Sequence, residues 1–599
     1  MDQSAYNKYI KNISTIEVDL KKVTKLNKYF YFIRLFAFSL IITFLVLFLK
    51  FDYNLVHLVI SGVSLVLFLF VLKINFKSTY KESFLSNQLI VNKNELNFLA
   101  HNYQFSNAGD EYKNLNPHLA DDFDLFGQGS MFQYLNRCST KIGKTKFAES
   151  LCKPVLNGDV ILQKQQAINE LSKNIDFIQN FQTHGMFINE TGIEVSSIQS
   201  WLKESVGSTK FLKSAVIAFP LLNIAWITLI ILGVFTVNSL LFPLMISLLV
   251  IFFNKHMLDL AHNRLSKTAK TFEKYTTLIK LIEDEEFASP LLKDLKQKLT
   301  CNDLKASHSL KLLFNLLNNF DIRYNVIVSF LLNSLVIFDL QIFLRLEKWK
   351  QKNKDSVTSW FSVLSEIDAL MSYSVFAFNN RSLVTVPTIS EKQFIIDGTD
   401  LGHPLLHPSI RINNSVIIAG SPSVIIITGA NMAGKSTFLR TLSVNLILAM
   451  NGAPVCAKDF IFSPCDIMSS IKIQDSLSNQ ESYFYAELLR IKEIISHVKV
   501  QPKTLVILDE ILRGTNTKDK QLGSLGLLEK LINLEAIAII ATHDLEIGQL
   551  EKKFPEIVAN YCFEVELQND QLIFDYKLKK GISSKLNASF LMKKMEIID

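Results

Sequence analysis

Cysteine is scarce and scattered in this chain of 599 residues. The six thiols, Cys138, Cys152, Cys301, Cys456, Cys465 and Cys562, form no C-x-x-C pair and no His/Cys cluster at metal-ligand spacing. The pattern offers no zinc module and fits reduced, buried thiols on a cytoplasmic side. A block of single-sign charge is missing too. The net charge is only +7 and Lys and Arg are dispersed, so the balance neither demands nor excludes nucleic acid as a partner. No internal repeat or low-complexity tract is visible beyond paired apolar runs. No cleavable signal peptide opens the chain, because the first apolar run starts near residue 29 behind a polar, helix-compatible segment. What is abundant is apolar surface: 49% hydrophobic residues, 45 of them Phe. The length implies about three or four domains, and the composition directs attention to long apolar runs rather than to disorder.

Residues 31–49 (YFIRLFAFSLIITFLVLFL) carry one charge near their start, and residues 55–72 (LVHLVISGVSLVLFLFVL) carry none. Each is close to the roughly 20 residues that cross a bilayer, and together they predict a transmembrane hairpin. Lys21, Lys22, Lys25 and Lys28 precede it and Lys73, Lys77 and Lys81 follow it, which puts both ends in the cytoplasm. A second pair, 214–233 and 237–253, is flanked by Lys210, Lys213 and Lys255 and predicts the same topology. Its prolines, Pro220 and Pro243, are tolerable in membrane helices. The run from Val326 to Leu346 carries Asn333, Asp339, Gln341 and Arg345, which predicts a soluble core helix instead. The basic run 345–354 reads as a solvated helix face, with contact to DNA or lipid phosphates as the other reading.

The chemistry concentrates near the C-terminus. Residues 424–437 read VIIITGANMAGKST, a β-branched run that breaks at Gly429 and matches G-x-x-x-x-G-K-S. A buried strand ends there, the backbone of Gly429, Ala430, Asn431, Met432, Ala433 and Gly434 curls around phosphate oxygens, and the next helix aims its positive end at the anion. Lys435 reaches the β and γ phosphates, Ser436 ligates Mg2+, and Thr437 continues into the helix. The chain is therefore expected to bind a nucleoside triphosphate with Mg2+, and the family resemblance given below makes it ATP. Residues 504–510, TLVILDE, form an apolar strand ending in two carboxylates. Asp509 is expected to hold Mg2+ and Glu510 to polarise the attacking water. A further strand, Ala536–His543, places His543 as a γ-phosphate sensor if the strands are parallel neighbours.

With these motifs assembled, the chain resembles the MutS family of mismatch-repair ATPases. TGANMAGKST at 428–437, LDEILRGTNTKD at 508–519 and ATHD at 541–544 carry the resemblance, the first two being specific to that family. DSLSNQESYFYAEL at 475–488 looks like the family's signature loop, and the resemblance implies that Ser482 contacts the γ-phosphate bound by a partner subunit. The sequence departs from the pattern at Gln480 and Leu512, where the family usually has glycine. In the family an aromatic or histidine near Tyr576 stacks on adenine, which makes Tyr576 a base-stacking residue or a strand-packing one. Similarity extends to 136–171, 366–378, the LGHP segment at 401–404 and 576–591, and is absent before residue 90. Mismatch-recognising members carry an N-terminal Phe-x-Glu wedge; no counterpart is visible, and an apolar hairpin stands in that region.

The expected fold is an α/β P-loop NTPase domain of ABC/MutS type, preceded by an all-α core with two transmembrane hairpins. The division runs as an N-terminal helix at 1–28, hairpin one at 29–73, a linker at 74–118, helical core at 119–213, hairpin two at 214–253, a second part of the core at 254–395 and the ATPase at 396–599. The resemblance implies a homodimer through the ATPase domains, and the apolar runs imply a lipid bilayer as partner, with the protein in the inner membrane and both termini cytoplasmic. DNA enters by family inference alone. An ATPase subunit of a transport or envelope complex, and a slow ATP-binding membrane scaffold, are the alternatives.

Overall fold

The computed structural model describes residues 3–51, 55–187, 201–202, 210–265, 269–301, 304–382, 384–472, 483–512, 515–568 and 571–583. The chain divides into two compact units, one of residues 1–137, 145–179 and 369–599, the other of residues 138–144 and 180–368. The first unit opens with two long helices, α1 (Gln3–Lys50) and α2 (Leu55–Leu99). Their contacts run in opposite senses: Ser61 Oγ donates to Ile41 O, Thr24 Oγ1 donates to Glu82, and Lys93 pairs with Glu17. They therefore form an antiparallel hairpin.

That hairpin changes character along its length. Toward its tip, large apolar side chains such as Phe36, Val66 and Phe70 face outward. Toward its base, Ile16 and Val23 of α1 and Leu85 of α2 close a small core with Leu20 and Leu89. The spacing 16, 20, 23 is an amphipathic seam. It explains two departures from the expected division: α1 crosses residue 28 without a break, and residues 74–99, read as linker, continue α2 as helix.

The base of the hairpin is tied into its own unit by buried polar groups. Arg137 Nε donates to Glu95 Oε1 at 2.6 Å, and the guanidinium lies 3.2 Å from the centre of the Phe98 ring. Asn379 Nδ2 donates to Glu95 Oε2 at 2.8 Å, and Tyr9 OH donates to Asn379 Oδ1 at 2.7 Å. A second set links Asn12, Asn92 and Gln179.

The second unit contains α3 (Lys210–Ile231), α4 (Leu241–Phe253), α5 (Val326–Val336) and most of α6 (Phe338–Asn379), whose last turns belong to the first unit. By length and composition, α1, α2 and α3 could cross a membrane, and the pair Val237–Phe253 with Lys255–His262 passes the same test but is bent by 58°. α6 also qualifies, yet 83% of its apolar window is buried by protein, against 6% for α1 and 11% for α3. The run 326–346, expected as one soluble core helix, is broken at Ile337, which takes φ +51°. Its second half is buried as expected, at Leu340, Ile342, Phe343 and Leu346. Its first half is not buried as a core helix would be: α5 packs on α3 and α4 and turns Val326, Ile327, Phe330 and Leu331 outward.

The rest of the first unit is an α/β domain. Its strands are β1 (Ile395–Leu401), β2 (Asn414–Ala419), β3 (Ser423–Gly429), β4 (Asp459–Phe462), β5 (Asp466–Ser470), β6 (Thr504–Asp509), β7 (Ile537–Thr542), β8 (Val558–Gln568) and β9 (Gln571–Lys580). The large sheet runs β9-β8-β3-β7-β6-β5, parallel except for the edge strand β9; a smaller sheet holds β4-β1-β2 with the short strand Thr388–Ile389. β6 and β7 are buried at every position, as a parallel strand covered on both faces requires. Helices α7 (Lys435–Met450), α8 (Tyr483–Val500) and α9 (Thr517–Asn533) follow β3, β5 and β6. Ile491, Ile494 and Val498 of α8 and Leu528 and Leu531 of α9 share one core with Val424, Val506 and Ala538.

Breaking a buried ion pair on one side strands a charge, at about 3–5 kcal/mol. Glu95→Leu is therefore expected to lower the thermal unfolding midpoint of the purified protein sharply, and Glu95→Leu with Arg137→Leu is expected to recover part of that loss. Equal losses in the single and double variants count against the pair as the tie at the base of the hairpin.

Candidate functional site

Register brings the candidate residues together. Thr428 pairs with Thr542 and Asp509 with Ala541 across three parallel strands, so Gly429, Asp509-Glu510 and His543 emerge at one edge of the sheet. This is where open α/β sheets bind ligands. The central position of β7, between the loop strand and the carboxylate strand, meets the condition set for His543 as a sensor.

The phosphate loop needs glycine at both ends. At Gly429, φ is +152° and an added Cβ would lie 2.7 Å from the Phe563 carbonyl oxygen. At Gly434, φ is +107° and a Cβ would approach the Tyr576 ring to 3.2 Å. Between them Met432 takes φ +68° and projects outward. α7 begins at Lys435, so its N-terminal N–H groups face the loop. Lys435 Nζ donates to the carbonyls of Gly429 and Ala430 at 2.8 and 2.9 Å and stands 3.9 Å from Glu510 Oε1. Ser436 Oγ hydrogen-bonds Asp509 Oδ2, so the two oxygens expected to hold Mg2+ converge on one point.

Glu510 occupies a left-handed backbone position, φ +47°, at the end of β6. Such a conformation costs about 1–2 kcal/mol for a side-chain-bearing residue. It is held by Glu510 N donating to Ala541 O at 2.9 Å. His543 Nδ1 lies 3.5 Å from Glu510 Oε1, and Lys520 Nζ lies 3.4 Å from His543 Nε2. Leu512 likewise takes φ +60°, a glycine-type conformation, which accounts for glycine being usual there in the family. Its N–H donates to the buried Glu487 carboxylate. The side chain of Leu512 packs into the core shared by α8 and α9. Gln480 and Ser482 lie outside the described residues.

These groups border a cavity of about 500 Å3, lined among others by Asn431, Met432, Gly434, Lys435, Ser436, Thr437, Glu510 and Tyr576. Its volume falls in the range of small-molecule sites. Lys435, a loop of N–H groups and converging oxygens, together with the apolar Leu406, Ile410, Ile412 and Phe563, suit a ligand with an anionic part and an apolar part. Tyr576 faces the cavity beside Gly434 while its ring stacks on Phe574 at 5.8 Å. Both readings of this tyrosine thus have a physical counterpart.

Sequence motifs did not flag His403, which also lines the cavity; the signal was its place in LGHP. Burial, reinforced by the Arg440 charge, pushes its pKa down to about 4, so the ring is neutral, and its Nδ1 accepts Leu405 N. Equally unflagged is Asp124, which pairs with Arg440 of α7 at 2.9 Å and with Lys472 after β5 at 2.8 Å.

Comparison with known proteins agrees with the motifs. Residues 425–595 match the family MutS domain V. The chain is 29% identical over 256 residues to the DNA mismatch repair protein MutS of Clostridium kluyveri. The corresponding proteins of Clostridium botulinum and Caldicellulosiruptor saccharolyticus are 31% identical over 258 residues and 30% over 256. Each match covers 41% of this chain but only 27–29% of the relative, so the chain spans less than a third of the length of the relatives it matches.

A histidine held neutral by burial contributes stability that is complete above pH 6.5 and lost as the pH falls toward 4, where the unfolded chain takes up the proton first. The slope is at most about 1.4 kcal/mol per pH unit. Thermal unfolding of the wild type is expected to fall more steeply over this window than that of His403→Asn, and parallel curves exclude His403 as the titrating group.

Proposed function

Starting from the chain's membership of the MutS family through its C-terminal domain, residues 425–595, we propose that it is a membrane-anchored ATPase using ATP and Mg2+ as a homodimer. The observation that carries this reading is the convergence of Lys435, Ser436, Asp509, Glu510 and His543 on one edge of a parallel sheet beside the cavity. Lys435 balances phosphate charge, and Ser436 and Asp509 hold the metal. Mg2+, when bound, neutralises charge that develops on the transferred phosphate. Glu510 accepts the proton of the attacking water, and His543, 3.5 Å away, orients it. Gly434 leaves room for Tyr576 against the base end of the nucleotide. Ser482 completes the site from the partner subunit, a role taken from the family resemblance.

The outward apolar sides of α1/α2 and of α3/α4 sit in lipid, in the inner membrane, with both termini and the ATPase in the cytoplasm. This placement rests on hydropathy, lysine distribution and the low burial of those segments. Hydrolysis drives the helical parts as levers. DNA is the proposed object on which they work, because the relatives are named DNA mismatch repair proteins.

ATP turnover by purified protein separates these claims. Glu510→Gln is expected to lower turnover about 100- to 10,000-fold while nucleotide binding persists, and Lys435→Ala to abolish binding. Undiminished hydrolysis in Glu510→Gln removes Glu510 from the chemistry. Duplex, mismatched or branched DNA is expected to change turnover and to bind below micromolar levels at near-physiological salt; absence of both effects removes DNA and leaves the ATPase.

A further inference from the structure

A helix in a water-soluble protein hides its apolar face and shows a polar one. α5 does the reverse. Val326, Ile327, Phe330 and Leu331 are 80%, 73%, 58% and 53% exposed, whereas Asn333 and Ser334 are buried. Polar inside and apolar outside is the pattern of a helix whose surroundings are hydrocarbon. The helix has 11 residues, about 16 Å, and cannot cross a core about 30 Å thick.

Both of its ends are built for a partial entry. The chain before α5 is anchored by charge: Arg323 Nη2 donates to Asp259 Oδ1 at 2.6 Å, its Nε lies 3.7 Å from Asp339 Oδ2, and His262 Nε2 is 2.7 Å from Asp321 Oδ1. Asp259 and His262 follow α4, so this cluster marks the side on which α4 leaves the apolar zone. The other end reaches Asn223 of α3, whose Nδ2 donates to the carbonyls of Ser334 and Leu335 at 3.1 and 2.8 Å and to Ser247 Oγ of α4 at 3.2 Å. Asn223 is about 20 Å along a helix about 33 Å long, near mid-depth.

A broken backbone at such depth is tolerated only where its polar groups are satisfied within protein. At Ile337 they are. Ile337 is fully buried, Gln341 Nε2 donates to Val336 O at 2.7 Å, and Asp339 N donates to Asn333 Oδ1 at 2.9 Å. Asn333, Asp339 and Gln341, whose polarity argued against a membrane segment, are thus the residues that seal a break inside one.

We propose that α5 is a re-entrant membrane helix that dips into the bilayer from the cytoplasmic side, turns back at Ile337 without crossing and presents Val326, Ile327, Phe330 and Leu331 to lipid acyl chains. The proposal rests on the reading of α3 and α4 as a membrane hairpin. Lipid is the occupant because this face continues the outward apolar surface of α3 and α4, at Leu221, Ile224, Met245 and Leu249.

Spin labels test it on single cysteines introduced into a cysteine-free background and reconstituted in phosphatidylcholine/phosphatidylglycerol vesicles. Positions 327, 330 and 331 are compared with 221 and 249 of the hairpin and with Val386 and Ile417, exposed on the first unit. Labels at 327, 330 and 331 are expected to favour collision with oxygen over a water-soluble nickel chelate, as 221 and 249 do, and opposite to 386 and 417. Nickel access at the α5 positions with oxygen preference at 221 and 249 overturns the re-entrant helix alone. Nickel access at 221 and 249 as well overturns the hairpin reading beneath it. Dipolar broadening at the α5 positions that vanishes on dilution with unlabelled protein overturns lipid in favour of a second copy. The conservative change Phe330→Trp gives an independent readout: its added emission is expected to be quenched by lipids brominated on their acyl chains and not by iodide, and the converse result refutes the proposal.

Discussion

Glu95 is a carboxylate with 3% of its surface exposed, and the attachment of the N-terminal hairpin to its unit is organised around it. A charge taken out of water is tolerated only when paired and hydrogen-bonded. Arg137 supplies the pairing and Asn379 a further hydrogen bond, while Tyr9 extends the network to α1. Helix α1, helix α2, the segment before residue 138 and the end of α6 are thereby fixed at one point. Because that unit also carries the 429–436 loop, the hairpin is joined to the α/β domain through buried, directional contacts.

The same rule about buried polar groups operates with inverted surroundings in the second unit. Asn223, Ser247 and the carbonyls beside Ile337 form a polar interior behind an apolar exterior. In water that arrangement would expose hydrophobic side chains without return; in hydrocarbon it is the stable one. Individual polar residues in an apolar run therefore do not decide whether the run enters a membrane. What decides is whether the fold gives each of them a partner.

The candidate site was legible because its elements are local. A buried strand that must end at glycine, a lysine at the start of a helix and two acids closing another strand are written in consecutive residues, and each was found where the pattern put it. Leu512 shows the opposite case: a departure from a family glycine that the backbone absorbs by adopting the glycine conformation. His403 was missed because a lone histidine in LGHP carries no chemical motif of its own, and the Asp124 ion pairs because Asp124 lies far along the chain from Arg440 and Lys472. The divisions drawn at residues 28 and 74 follow a change in apolarity, and helical structure runs on across both.

Residue order alone marked which side chains make up the candidate site and which segments are apolar enough for a membrane by length and composition, since both follow from short-range pattern. Only the tertiary structure decided that β7 lies between β3 and β6, that Asp124 bridges Arg440 and Lys472, and that the run 326–346 breaks at Ile337. The reason is physical. Strand order, ion pairs and the sealing of a helix break depend on partners distant in the chain, and Asn223, more than a hundred residues before the carbonyls it satisfies, has no local signature of that role.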